Sequence, residues 1–140
     1  MSGETTYFGT VYPAECDHMG HLNVAHYVAK FDAASWNLFF MLGVTRETMD
    51  AGSYAVAAVE QKIAYKRELM AGDVIEVRSR VLEVKEKAIR FLHEMIHRQS
   101  GEIAATSEYV SVCLDRVRRK AKPYPDAVLD VARRLVSAAK

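Results

Sequence analysis

Between Val24 and Leu42 the sequence reads VAHYVAKFDAASWNLFFML, and apolar side chains go most of the way round the helix this stretch predicts. His26, Lys30 and Asn37 leave only a narrow polar strip at helical spacing. A helix that is apolar on nearly every side cannot lie alone in water; other elements must cover it. Asn23 is a good N-cap residue for it and Gly43 a good C-cap. What surrounds this helix therefore decides the fold.

The covering elements read as β. Thr5 to Pro13 is a short strand rich in β-branched and aromatic residues, closed by Pro13. Four longer strands follow: Tyr54 to Leu69, Asp73 to Val84, Lys87 to Arg98 and Glu102 to Val117. Ile75, Val77, Ser79 and Val81 alternate with Glu76, Arg78 and Arg80, and Ile89, Phe91, His93, Met95 and His97 share one face. Ala71-Gly72-Asp73 and Gln99-Ser100-Gly101-Glu102 have hairpin composition, which predicts a four-strand antiparallel meander. Thr45 to Asp50 adds a helical turn. Pro123 and Pro125 end the sheet, and Asp126 to Ala139 is an amphipathic helix with Val128, Val131, Ala132, Leu135 and Val136 on one side. The class is α+β. One sheet covers one side of the central helix, so the remaining apolar faces predict a partner subunit recruited along the sheet edges.

The 140 residues predict a single domain over 1–140, long enough to bury a core without disulfides or metals. A formal charge of +1 argues against nucleic acid and membrane surfaces as partners. The two cysteines, Cys16 and Cys113, form no CxxC pair and read as reduced thiols. Met1–Glu4 has neither a basic n-region nor an apolar h-region. The longest apolar run, around Leu38 to Leu42, is too short to cross a bilayer, so the expected location is cytoplasmic.

The chemistry concentrates between Val11 and Asn23. There Cys16, Asp17, His18, Gly20 and His21 separate a strand from the central helix. A helix N-terminus presents free N–H groups that can hold an oxyanion, and a carboxylate beside it can drive acyl transfer. Asp17 is that carboxylate, although a turn or capping role is the commoner use of a loop Asp. The spacing of His18, His21 and His26 is not a zinc pattern, so no metal is expected. Glu15 and Asp17 flank Cys16 and disfavour a thiolate nucleophile. No Gly-x-Ser-x-Gly elbow, Gly-x-Gly-x-x-Gly or phosphate loop is present. At helical spacing, two of Trp36, Phe39 and Phe40 are expected in the core, and no chemistry is assigned to His93 or His97.

Glu15-Cys16-Asp17-x-x-Gly20-His21-x-Asn23-x-x-x-Tyr27 before a long buried helix, and Arg67-Glu68-Leu69-x-x-Gly72-Asp73 before a strand, resemble the hotdog-fold acyl-CoA thioesterases. The nearest branch is the 4-hydroxybenzoyl-CoA thioesterase-like one, and the resemblance runs from about Tyr7 to Val117. It implies a long central helix wrapped by an antiparallel sheet, plus a C-terminal helix. It also implies an acyl-CoA thioester hydrolase that works as a homodimer or a dimer of dimers, a homotetramer. No cofactor is implied, because coenzyme A is part of the substrate. The family's catalytic carboxylate falls on Asp17, its backbone oxyanion donor on Asn23 or Val24, and its first-turn tyrosine on Tyr27. His21 is expected to orient the loop. Gly20, His26 and Tyr27 are expected to meet the substrate, with His26 standing where that branch often has asparagine. Lys85, Lys87 and Arg90 are expected at the coenzyme phosphates, with the Arg116, Arg118, Arg119, Lys120 and Lys122 run as the second basic cluster. Two other functions stay open: a hotdog hydratase or dehydratase acting on acyl thioesters, and a non-catalytic acyl-CoA-binding protein. No proline follows Asn23, and Gly72-Asp73 lacks the partner a hydratase needs, which ranks that reading lower.

Overall fold

The computed structural model describes residues 3–139; the reading of Met1 and Ser2 as free of a leader signal lies outside them. Strand β1 spans Glu4–Thr10. A single 3-10 turn, Pro13–Glu15, and a loop lead to helix α1, Val24–Met41. The Asn23 side chain accepts the Ala25 N–H and caps α1 as expected. A short helix, α2, covers Arg46–Gly52, with Thr45 as its N-cap. Strands β2, Tyr54–Tyr65, β3, Val74–Val84, β4, Ala88–His97, and β5, Ile103–Asp115, follow. Helix α3, Asp126–Ala139, closes the chain.

The strands form one antiparallel sheet in the order β1-β3-β4-β5-β2. This corrects the four-strand meander. Only β3, β4 and β5 follow one another; β2 pairs with β5 and stands at the edge. Ala71-Gly72-Asp73 is a turn but not a hairpin between neighbouring strands. The Asp73 N–H donates to the Met70 carbonyl and the Met70 N–H to Asp73 Oδ2, while Gly72 sits at a φ of 94° that favours glycine. The segment then pairs with the entry loop instead of with β2. Leu22 N–H donates to the Leu69 carbonyl and Gly72 N–H to that of Val11. Turn chemistry specifies a bend, not the strand on the other side of it.

Helix α1 lies across the sheet with Tyr27, Phe31, Ala34, Leu38 and Phe39 buried. Its opposite face is open in a single chain. Trp36 is 47% exposed and Phe40 69%, so only Phe39 of the three aromatics belongs to the core. The helix is apolar all round, but one sheet can cover only one side.

The core has two parts. One gathers Leu38, Phe39, Tyr54, Phe91 and Tyr109 with Val128, Leu129 and Ala132 of α3. The other gathers Tyr27, Phe31, Leu69, Ile75, Val77 and Met95. A buried polar row runs across the sheet between them. Ser79, His93 and Ser107 are cross-strand partners on β3, β4 and β5. Thr6 of β1 meets the Ser79 hydroxyl at 2.7 Å, and Gln61 of β2 donates to the Ser107 hydroxyl at 3.0 Å. From above, the Ser35 hydroxyl of α1 meets His93 Nε2 at 2.8 Å, and Ser79 takes the other ring nitrogen. Every strand thus contributes one member. The full satisfaction of the imidazole makes its burial tolerable.

Candidate active site

The entry loop is folded by its own short-range bonds. Gly20 N–H donates to the Asp17 carbonyl and Asp17 N–H to that of His21, with Gly20 at a φ of 84°. Asp17 Oδ1 accepts the Met19 N–H at 2.9 Å. Its other carboxylate oxygen has no partner among the described residues. Isolated bridges Cys16–Leu22 and His21–Met70 fasten the loop to itself and to the turn after β2.

Beside this loop lies a cavity of 580 Å³ whose lining includes Asp17, His21, Val24, Tyr27, Tyr65 and Glu68. That size suits a small-molecule site. The first turn of α1 forms one wall. Asn23 N–H donates to the Glu15 carbonyl and the Asn23 side chain holds the Ala25 N–H. The Val24 N–H is at the first helical position, where no intrahelical acceptor exists. Of the two expected oxyanion donors, Asn23 is therefore already engaged and Val24 is open.

The other expected residues divide. His21 lines the cavity, and its Nε2 lies 3.0 Å from Glu68. Tyr27 is buried, with its hydroxyl donating to the Arg67 carbonyl at 3.4 Å. Burial holds the Tyr27 phenol above its ordinary pKa, so it stays a donor. Gly20 shapes the loop and is not part of the lining. His26 turns to Glu15, 3.7 Å away, rather than into the cavity. Lys85 and Lys87 sit in the β3–β4 turn, where Cys113 N–H donates to the Lys87 carbonyl and Cys113 in turn pairs with Val56. That is the Tyr54 end of the sheet, whereas the cavity is at the Tyr65 end, roughly 35 Å along the strand. Arg90, near Glu83, is level with Glu60 at the middle of β2, through Val110 of β5. Within one chain these three residues do not approach Asp17; their expected place is at the coenzyme phosphates, away from the reacting carbonyl.

Five cavity residues, Leu22, Tyr65, Lys66, Arg67 and Glu68, were not anticipated from sequence. Glu68 belongs to the Arg67-Glu68-Leu69 motif, which marked only a turn; its acid lies three residues beyond the strand end. Tyr65 is the last residue of β2, and its ring meets Tyr27 edge-on at 5.1 Å. Arg67 also lines the cavity, but its guanidinium turns to Ser100 and Glu102. Among the described residues no cluster of His, Cys, Asp and Glu is arranged to hold a metal ion.

Comparison with known proteins gives the family. The family model described as the Thioesterase-like superfamily matches residues 11–131. A betainyl-CoA thioesterase of Pseudomonas aeruginosa is 27% identical over 125 residues, covering 89% of this chain and 79% of that protein. An L-carnitine dehydrogenase/betainyl-CoA thioesterase of Agrobacterium fabrum is 27% identical, covering 81% of this chain but 23% of its own length. Among solved structures, a Staphylococcus aureus protein in complex with CoA superposes with a TM-score of 0.92 at 18% identity, covering 100% of this chain and 89% of that one. A 1,4-dihydroxy-2-naphthoyl-CoA thioesterase from Synechocystis gives 0.83 at 19% identity, covering 94% and 96%. The fold is the expected hotdog fold, and the chain belongs to the thioesterase-like superfamily as a thioester hydrolase.

Proposed function

We propose that the chain hydrolyses acyl-CoA thioesters in the cavity beside Asp17. The observation that carries this is that Asp17 and Val24, whose N–H has no intrahelical acceptor, both line it. Two routes fit. The carboxylate attacks the thioester carbonyl and forms a mixed anhydride that water then cleaves, or it takes a proton from a water that attacks directly. Both pass through the same tetrahedral oxyanion, which Val24 N–H and the α1 terminus stabilise. Both break the C–S bond and release CoA as a thiolate, a good leaving group that needs no strong acid. His21 keeps the loop in place through Glu68.

A narrower reading of the acyl group has its own support. The Pseudomonas aeruginosa relative is named for betainyl-CoA, and here the half-exposed Tyr65 ring lines the cavity with two carboxylates, Asp17 and Glu68, and two cations, Lys66 and Arg67, the latter paired with Glu102. A quaternary ammonium gains about 0.5–2 kcal/mol over an aromatic face. The Tyr65 ring is the feature that favours a small cationic acyl group. Release of free thiol is expected to be about tenfold more efficient in kcat/KM for betainyl-CoA than for its neutral isostere 3,3-dimethylbutyryl-CoA, after correction for their rates with hydroxide. Tyr65→Leu should remove most of that ratio. Equal efficiencies in the native protein discard the cationic reading, and absence of thiol release from every acyl-CoA discards hydrolysis.

The working unit is a homodimer joined along β2, capable of pairing further into a dimer of dimers. Strand β2 is an edge with exposed Val59 and Tyr65 on it, α1 exposes Val24 and Val28, and Tyr65 and Val24 line the same cavity. Antiparallel pairing of two β2 edges sets the Tyr54 end of one protomer beside the Tyr65 end of the other. Lys85, Lys87 and Arg90 then approach the coenzyme phosphates from the partner, and the Arg116–Lys122 run does so from one strand nearer the edge. Light scattering at micromolar concentration should report at least twice the mass of one chain. A stable, active monomer would remove both the interface and the shared phosphate site.

A further inference from the structure

We propose that Glu15 and Lys30 are positioning residues: an ion pair between a buried lysine and a half-buried glutamate that fixes the Asp17 loop against the first turns of α1. The proposal rests on reading Asp17 as the reacting carboxylate.

Glu15 is the hub of the region. Its carboxylate accepts the Tyr12 N–H at 2.9 Å, which holds the exit of β1. Its carbonyl accepts the Asn23 N–H at 2.9 Å, which holds the cap of α1. Both its carboxylate oxygens accept from Lys30 Nζ, at 3.2 and 3.0 Å, which reaches up from the second turn of that helix. The acid lies two residues before Asp17, and the cap lies one residue before Val24. One side chain therefore sets the loop that carries the carboxylate and the terminus that carries the oxyanion donor in a common frame.

Lys30 has no other evident reason to be where it is. It is only 5% exposed and sits on the helix face that packs on the sheet, with its ammonium 5.9 Å from the centre of the Tyr7 ring. A buried ion pair generally adds little stability over well-packed apolar side chains of the same size. Methionine would serve packing better. The charged groups that face the pair are few. His26 Nδ1 lies 3.7 Å from Glu15 on the solvent side. Burial alone would raise the Glu15 pKa, but the Tyr12 N–H, Lys30 and His26 together lower it, so the pair stays ionised at neutral pH.

Reacting groups must be held closely. A displacement of about 1 Å can cost on the order of a hundredfold in rate. The double variant Glu15→Gln/Lys30→Met removes both charges together and leaves no unpaired buried ion. It should unfold at or above the wild-type temperature, yet turn over about 10–100-fold more slowly, with KM changed less than about twofold. The factor should be the same for every acyl-CoA, because the pair acts on the shared carbonyl chemistry. Lys30→Arg keeps the charge and should recover most of kcat. A folded double variant with wild-type kcat overturns the proposal, as does a loss confined to KM or to thermal stability. Asp17→Asn in parallel separates the two ideas. If it is inactive while the double variant is fully active, Asp17 stands and the positioning role falls. If Asp17→Asn turns over normally, the Asp17 reading falls and takes the proposal with it.

Discussion

Asp17→Asn should lower kcat about a thousandfold while leaving KM and the unfolding temperature close to wild type. The fold should survive because Asp17 Oδ1 has a structural task that an amide oxygen performs equally well: it accepts the Met19 N–H. The loop turn around Gly20 depends on backbone atoms of residue 17, which the change does not touch. What disappears is the anionic oxygen. An amide can neither attack a thioester nor take a proton from water at neutral pH. Residual activity should come from the oxyanion donor and from binding alone. The measurement is thiol release under saturating acyl-CoA, with circular dichroism melting as the control. Wild-type turnover in a folded variant would mean that Asp17 only caps its loop.

Acid should destabilise the protein between pH 6.5 and about 3 through His93, joined below pH 4.5 by Glu15 and Glu76, whose carboxyls are held below their ordinary range. Burial pushes the His93 pKa from 6.5 down to about 3, and both ring nitrogens face serine hydroxyls. The sign follows from linkage. Below pH 6.5 the unfolded chain binds a proton at His93 and the folded protein does not, so stability falls with falling pH until the folded pKa is reached. Each pH unit in that window costs about 1.4 kcal/mol, or roughly 2 kcal/mol at pH 5 relative to neutrality. Urea unfolding at pH 7 and pH 5 measures it. His93→Gln can still bond to the hydroxyls but does not titrate, so its pH 7 to pH 5 difference should be smaller than the wild-type one by about that amount. His18, His21, His26 and His97 are present in both proteins and cancel in the comparison. Equal differences would show that His93 does not govern acid sensitivity.

The sequence carried the local information well. Asn23 as a cap, the alternation in β3 and β4 and the amphipathic C-terminal helix depend on neighbours a few residues apart, and each stands where it was expected. The carboxylate loop was legible for the same reason: an acid, a glycine and a capping residue at short spacing ahead of a helix. Longer-range facts were not. The partner of β2 is set by a segment that crosses the end of the sheet, and nothing in Gly72-Asp73 distinguishes a crossing from a hairpin. The exposure of Trp36 and Phe40 depends on which face of α1 the sheet reaches, which the count of apolar residues does not state. Lys30 read only as part of a narrow polar strip with His26 and Asn37, at helical spacing. Its acid partner lies fifteen residues earlier, across a turn, and is visible only in three dimensions.

The polar row through the sheet has a consequence for how such a chain can change over time. It divides the interior into two compartments that share almost no side chains. One compartment, with Tyr27 and Leu22, forms the floor of the cavity. The other, around Phe39, Phe91 and α3, does not touch it. Packing can drift in the remote compartment, gaining or losing methyl groups, without moving the atoms that meet substrate. Drift in the near compartment reshapes the acyl site directly. The serines and His93 act as a partition that lets robustness accumulate on one side while specificity is explored on the other.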